Sequence, residues 1–583
     1  MNKIYKIFSL FILLSTVGCS DFLDQVPDDF MTIDEVFQKK AESEKYLANV
    51  YSYVKNESGQ WIDDPWGGTC DEFEATWQSN DPYKINIGNW NASSPPYNYW
   101  PHYYRGVRAA TYFINRIDEN EELRRLSGQG RIDQYKAEAR FLRANYYFML
   151  MRQYGPIVLI GNTEIPVDAP LSDFSLPRSP FDECVDYVVS ELDAAAKVLP
   201  LVPENNKDYG RATKGAALAT KARLLLYAAS PLYNGNTTVA DYKNSDGTNL
   251  ISQTYNQEKW KRAADAAKDV IDLGIYKLYE DASGDALKSV QGVFSEPWNE
   301  ECIWVRKGNN LSNWDIHCTV RRAGGWNGVG AVQQAVDAFF MKDGLSIDES
   351  PLYSEEGFTN GVFNMYLNRE PRFYASVLYS GATYTGGSIK EPVTIDFSYN
   401  GIDGKSGGGN DFTPTGYLVR KNVDPGTDRI GGEHISRPYI LIRLAEMYLN
   451  YAEALAEYGG NDLEVLKYVN LIRKRAGVPE YGSGANQVTA PAGKALIQAV
   501  RDERRVELMF ECHRFFDIRR WMIAKDVMGA MYGMNVDANG EDFFLRTNIN
   551  RNHLWRSSYY WWPIEQYEMD RGDGKLVQSP GWY

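Results

Sequence analysis

The chain has 583 residues, 44% of them hydrophobic and 24% charged, and carries a formal net charge of -15. That length accommodates two to four ordinary domains or one helical array, and the composition is globular. The charge excludes nucleic acid as a partner: residues 61–100 set Asp63, Asp64, Asp71, Glu72, Glu74 and Asp81 against Lys84, where base-stacking grooves need basic residues among their rings.

In chain order, the first element is MNKIYKIFSLFILLSTVGCSDFLDQ, with Lys3 and Lys6, an apolar run too short to span a bilayer, and small residues ending in Gly18 and Cys19. This predicts a secretory signal over 1–18 whose following cysteine is acylated, so that Cys19 opens the mature chain. Thr16 stands where such cleavage sites usually carry leucine. Several acyl chains, at about 0.8 kcal/mol per buried CH₂, would make the attachment effectively permanent. No later segment reads as a transmembrane helix. Five further cysteines (Cys70, Cys184, Cys302, Cys318 and Cys512) show neither C-x-x-C pairs nor close spacing, and predict buried small hydrophobes rather than a disulfide framework or zinc site.

Apolar residues at helical spacing predict helices over 35–55, 103–118, 131–154, 181–198, 213–229, 257–273, 437–458, 462–476 and 493–525. In 131–154 the stripe is Tyr135, Ala139, Leu142 and Tyr146, broken at Gly155-Pro156; in 437–458 it is Leu444, Tyr448, Tyr451 and Leu455, broken at Gly459-Gly460. Helix pairs joined by such breaks resemble tetratricopeptide repeats of irregular period. Between the helical blocks lie two irregular regions, 56–102 and 275–436, and within the second the Gly-rich stretch 381–416 predicts a surface loop or edge hairpin.

Candidate chemistry is sparse. Glu503, Glu507 and Glu511 fall on one face of the helix predicted over 493–525, a spacing compatible with paired catalytic carboxylates. Arg501, Arg504, Arg505 and Arg514 stand beside them, and carboxylates held by guanidinium lose the high pKa a general acid needs. The reading preferred is a structural ion-pair network. The five histidines stand in unrelated contexts, YKNSDGTN (242–249) reads as a polar turn rather than a calcium loop, and no nucleotide fingerprint occurs. No catalytic residue, metal or cofactor is expected.

The aromatics remain. Residues 75–100, ATWQSNDPYKINIGNWNASSPPYNYW, hold Trp77, Tyr83, Trp90, Tyr97, Tyr99 and Trp100 against Ile85 and Ile87 as their long aliphatic side chains. Trp61, Trp66, Trp77, Trp90 and Trp100 in the first irregular region are matched by Trp298, Trp304, Trp314 and Trp326 in the second, each among Gly, Asn, Ser and Asp. A flat indole offers apolar area with few rotors to freeze; a pyranose packs its C–H face on it while polar side chains take the hydroxyls.

Several segments, in order, resemble the SusD/RagB family of outer-membrane nutrient-binding lipoproteins: CSDFLD at 19–24, AEARFLRANYYFMLMRQYGPIVLI (137–160), GRATKGAALATKARLLLYAASPLY (210–233), RPYILIRLAEMYLNYAEALAEYGG (437–460), NLIRKRAGVP (470–479), RDERRVELMFECHRFFDIRRW (501–521) and the closing WWPIEQYEMDRGDGKLVQSPGWY (561–583). Cys512 stands where the family commonly has glycine, and Ser579 where asparagine is usual. The resemblance implies a mostly α-helical single domain over 19–583, in which about four tetratricopeptide-like units support a large irregular, loop-rich ligand-binding half. It implies surface exposure on the outer membrane through a lipid anchor, and delivery of captured oligosaccharide to a SusC-like TonB-dependent transporter without hydrolysis. Within the two irregular regions the expected ligand platforms are Trp66, Trp77, Trp90, Trp298, Trp314 and Trp326, with Asp71, Asn89, Arg321 and Arg322 as polar partners. Two alternatives stay open: a peptide importer of the same family, and a surface glycosidase using Asp71, Glu72 or Glu74.

Overall fold

A computed structural model describes residues 33–166, 169–307 and 311–582. The predicted signal segment and Cys19 lie outside the described residues.

The helical scaffold consists of α1 (Lys40–Ser52), α2 (Trp100–Arg116), α3 (Gln129–Tyr154), α4 (Phe181–Ala196), α5 (Lys214–Ala229) and α6 (Glu258–Ile271). The short α7 (Ser312–His317) sits in the second irregular region. It is followed by α8 (Leu444–Tyr458), α9 (Asp462–Arg475), α10 (Lys494–Glu507) and α11 (Arg514–Arg520). Packing is sequential: α2 on α3, α3 on α4, α4 on α5 and α5 on α6. Then α6 packs directly on α8, which packs on α9 and α10, so region 275–436 is looped out of an array that closes beneath it. The ends are chemically marked. Thr213 caps α5 by accepting from the Ala216 N–H, and Asn461 caps α9 through the Glu464 N–H. At the end of α3, Gly155 takes a φ of 73°, and a Cβ there would lie 2.8 Å from Trp561 Nε1, so only glycine both turns the chain and admits that ring. Among the described residues no helix is long and apolar enough to cross a membrane.

Two helix expectations need correction. Residues 439–443 are extended: with β1 (Phe73–Ala75), β2 (Cys302–Arg306), β3 (Val329–Ala331), β4 (Tyr417–Val419) and β5 (Tyr439–Arg443) named, β5 pairs antiparallel with β2, and α8 begins only at Leu444. The β-branched Ile440 and Ile442 suit a strand, which no helical periodicity reveals. The predicted helix 493–525 breaks after Glu507, because Phe510 and Cys512 adopt left-handed φ of 62° and 65°, and resumes as α11. Cys512 therefore occupies a backbone position that favours the glycine common in the family.

Val329, Phe339, Tyr366, Phe373 and Leu418 of region 275–436 share a second apolar core with Phe73 of the first irregular region. The stretch 381–416 contains the hairpin Thr383–Gly386 with Ile389–Thr394. Glu503, Glu507 and Glu511 enter a buried ion-pair network with Arg372 and Arg443.

Candidate functional site

The two irregular regions meet through main-chain pairing. Strand β1 runs antiparallel to β3, with Phe73 opposite Ala331 and Ala75 opposite Val329, and the ladder continues from the Thr76 N–H to the Gly328 carbonyl at 2.8 Å. The register carries Trp77 toward Trp326. A Cβ on Gly328 would lie 2.1 Å from a Trp77 ring carbon, so glycine leaves the space that the indole fills.

Four rings gather there. Trp61 stacks on His317 with centroids 3.8 Å apart and planes at 24°. Trp77 meets Trp61 at 5.1 Å, His317 edge-on at 4.9 Å and Trp326 edge-on at 6.1 Å; Trp326 meets His317 at 4.4 Å. Trp61 and His317 are buried and form the backing, whereas Trp77 and Trp326 are half-buried and present indole to solvent. Burial, with Arg429 adding to it, pushes the His317 pKa down to about 4, so the ring is neutral at pH 7 and donates through Nδ1 to the Asn313 carbonyl at 2.6 Å. It serves as a flat wedge rather than an acid or base. The Arg429 guanidinium lies over the Trp326 ring at 5.1 Å, and the adjacent Ile430 is 67% exposed.

Among the predicted platforms only Trp77 and Trp326 come together. Trp66 is a core residue, 1% exposed, packed against Phe515 and Phe516 at 4.9 Å each and Trp562 at 5.7 Å. Trp314 is 2% exposed, edge-on to Phe73, and donates to the Lys421 carbonyl. Neither has a face to offer a ligand, because partners distant in sequence cover both. Trp90 is wedged among C-terminal rings, 4.4 Å from Trp582 and 4.9 Å from Trp562, with exposed Asn89 beside it. Trp298 stands apart from the Trp77 group: it stacks on Tyr209 at 4.5 Å and lines a separate cavity of about 290 Å³ with Leu201, Arg211 and Tyr276. A cavity of about 380 Å³ between α2 and the 568–576 segment contains none of the predicted platforms or polar partners.

Three of the four expected polar partners, Asp71, Arg321 and Arg322, are engaged within the fold. Asp71 is 2% exposed and bound bidentately by Arg514 at 2.7 and 2.8 Å, with Arg505 at 2.8 Å; against the upward push of burial, these cations hold its carboxyl well below the usual range. Arg321 donates to the carbonyls of Ile402, Gly404 and Asp411, and Arg322 pairs with Asp403, so both guanidinium groups pin the 394–411 loop. The acids of the glycosidase alternative are buried as well: Glu74 pairs with His553, and Glu72 is 2% exposed. Burial pushes the Glu72 carboxyl up to about 8. Between roughly pH 4.5 and 8 the unfolded chain releases a proton that the native chain keeps, so this group's contribution to stability falls as pH rises. Glu72→Gln is expected to raise the melting temperature at pH 8 and to lose that advantage toward pH 4.5, as thermal scans across pH would show.

Trp61 and His317 were present in the sequence as a neighbouring tryptophan and an apparently isolated histidine; nothing local marks them as one stack. Arg429 lies in a polar turn with no ring near it in sequence. Among the described residues no three His, Cys, Asp or Glu side chains are placed to hold a metal ion.

Comparison with known proteins decides the family. The SusD family model matches residues 300–582, and a second model, described as starch-binding associating with outer membrane, matches 21–226. The chain belongs to the SusD family. It is 25% identical to a SusD-like protein of Bacteroides ovatus over 89% of this chain and 83% of that one. Among solved structures, BT4246 superposes with a TM-score of 0.82 at 28% identity, covering 93% of this chain and 99% of that one. A SusD-like protein of Bacteroides fragilis superposes at 0.76 with 25% identity, covering 94% and 98%. This SusD-family chain thus shares a mostly helical scaffold with its relatives along nearly its whole length.

Proposed function

We propose that the protein is a surface lipoprotein of the outer membrane, anchored through Cys19, that captures an oligosaccharide on Trp77 and Trp326 and delivers it to a SusC-like TonB-dependent transporter without cleaving it. The observation that carries this reading is the convergence of the two half-exposed indoles, one from each irregular region, on a buried backing of Trp61 and His317. Two indoles whose planes meet at 70° make a corner into which a curved or branched sugar chain fits better than a flat sheet would. A laminarin binding SusD-like protein shares the fold at a TM-score of 0.59 and 18% identity, which speaks to architecture alone. Against the glycosidase alternative stands the burial of Asp71, Glu72 and Glu74, each 2% exposed.

The test begins with a glycan array to find a ligand. Each well-placed ring contributes about 0.5–1.5 kcal/mol beyond area burial, so Trp77→Ala with Trp326→Ala is expected to weaken retention in an affinity gel about 10- to 100-fold. Unchanged retention by the double variant, or binding of peptides in place of sugars on matched arrays, would sink the proposal. Release of reducing ends on prolonged incubation would overturn its non-catalytic part.

A further inference from the structure

We infer that the glycan held on Trp77 and Trp326 carries negative charge, a carboxylate or a sulfate ester, and that Arg429 reads it; the inference rests on the binding role proposed above. Arg429 is exposed, its guanidinium lies over the Trp326 ring at 5.1 Å, and among the described residues its side chain donates from Nη1 to the Gly324 carbonyl at 3.3 Å. No carboxylate lies within ion-pair distance of it among the described residues. A guanidinium held over an indole keeps N–H donors that match the two oxygens of a carboxylate or sulfate.

The cation is placed rather than dangling. Asp315, on α7, accepts from Arg437 at 2.7 and 2.9 Å, from the Asp424 N–H at 3.1 Å and from Thr427 Oγ1 at 2.8 Å. It thereby ties down both sides of the turn that carries Arg429, and α7 also supplies His317 to the ring stack. Of the acids nearby, Asp315 pairs with Arg437, Asp403 pairs with Arg322 and Asp428 accepts from the Gly431 N–H at 2.9 Å; Glu433, at the far side of the turn, is exposed. The net charge of -15 repels polyanions at long range, but screening confines that field to about 10 Å at 0.1 M salt, so a charge on a sugar chain seated at the rings responds to the local cation.

The experiment uses two matched pairs of polymers in affinity gels with the full-length protein. Polygalacturonate against its highly methyl-esterified form tests carboxylate; κ-carrageenan against its desulfated form tests sulfate. The wild-type protein is expected to retain the charged member of at least one pair about tenfold more tightly than its uncharged counterpart. Arg429→Gln is expected to shrink that ratio to within about twofold, and Arg429→Lys to keep part of it. The pair that shows the preference identifies the charged group. Equal retention within both pairs, retention of neither charged polymer, or a preference that survives Arg429→Gln overturns the inference. If the Trp77 and Trp326 variants instead bind a glycan as the wild type does, the binding site itself has been misassigned.

Discussion

Replacing Glu507 by glutamine is expected to destabilise the protein by about 3–5 kcal/mol, the cost of removing one partner from a buried set of charges. The set comprises five cations (Arg372, Arg443, Arg473, Arg475 and Lys421) and five carboxylates (Glu301, Glu370, Glu503, Glu507 and Glu511), linked without interruption. Glu507 is its hub, meeting Arg443 at 2.7 Å, Arg372 at 3.1 Å and Arg475, with its own side chain 3% exposed. Glutamine preserves volume, so the loss isolates the charge: five buried cations would face four carboxylates. Glu464, paired at 3.3 Å with Lys467 on the surface, is the control, and Glu464→Gln is expected to cost less than about 1 kcal/mol. Calorimetry on the two variants checks the contrast.

The same network sets the response to acid. Against the upward push of burial, Arg475, Arg443 and Arg372 hold the Glu507 carboxyl well below its usual range, and Arg520 likewise brings Glu453 down to about 2. Below roughly pH 4.5 the unfolded chain binds protons at these positions that the native chain refuses, so stability is present above that pH and is lost as pH falls toward 2. Thermal scans between pH 5 and 3 should show a shallower slope for Glu507→Gln than for the wild type. An equal slope would mean that other carboxylates govern acid unfolding.

The scaffold was legible because its helices are specified locally: stripes of apolar residues, asparagine or threonine caps, and glycine stops fall within a few turns of one another. The ion-pair network was legible in kind, since acids and arginines crowd 501–514, but its partners at Glu301, Arg372 and Arg443 come from elements far away in sequence. The proposed site draws on two of the six rings expected from the sequence, Trp77 and Trp326, one from each irregular region; the other four lie elsewhere. Trp66 and Trp77 stand in equally polar surroundings along the chain; one is covered by Phe515, Phe516 and Trp562 and the other is not. Polar neighbours therefore report on loop character rather than on exposure. Arg321 and Arg322 show the same thing for charge, because Asp403 and the loop carbonyls that consume them arrive from a distant segment.

That distinction sets the second large effect. Trp66→Ala is expected to cost about 3–5 kcal/mol, since it opens a cavity in a cluster of packed rings and removes the Nε1 donor that reaches Glu57 at 3.2 Å. Glu57 also pairs with Arg152, whose guanidinium lies 5.6 Å over the Trp66 ring, so the truncation loosens a buried charge together with apolar contacts. Trp326→Ala, at a half-buried ring edged by solvent, should cost distinctly less stability while reducing glycan retention. Measured side by side, the two variants separate the core role of Trp66 from the binding role proposed for Trp326: melting temperature should respond chiefly to Trp66 and retention chiefly to Trp326. Should Trp66→Ala melt like the wild type and lose glycan instead, the core assignment of that ring, and with it the placement of the site on Trp77 and Trp326, would be wrong.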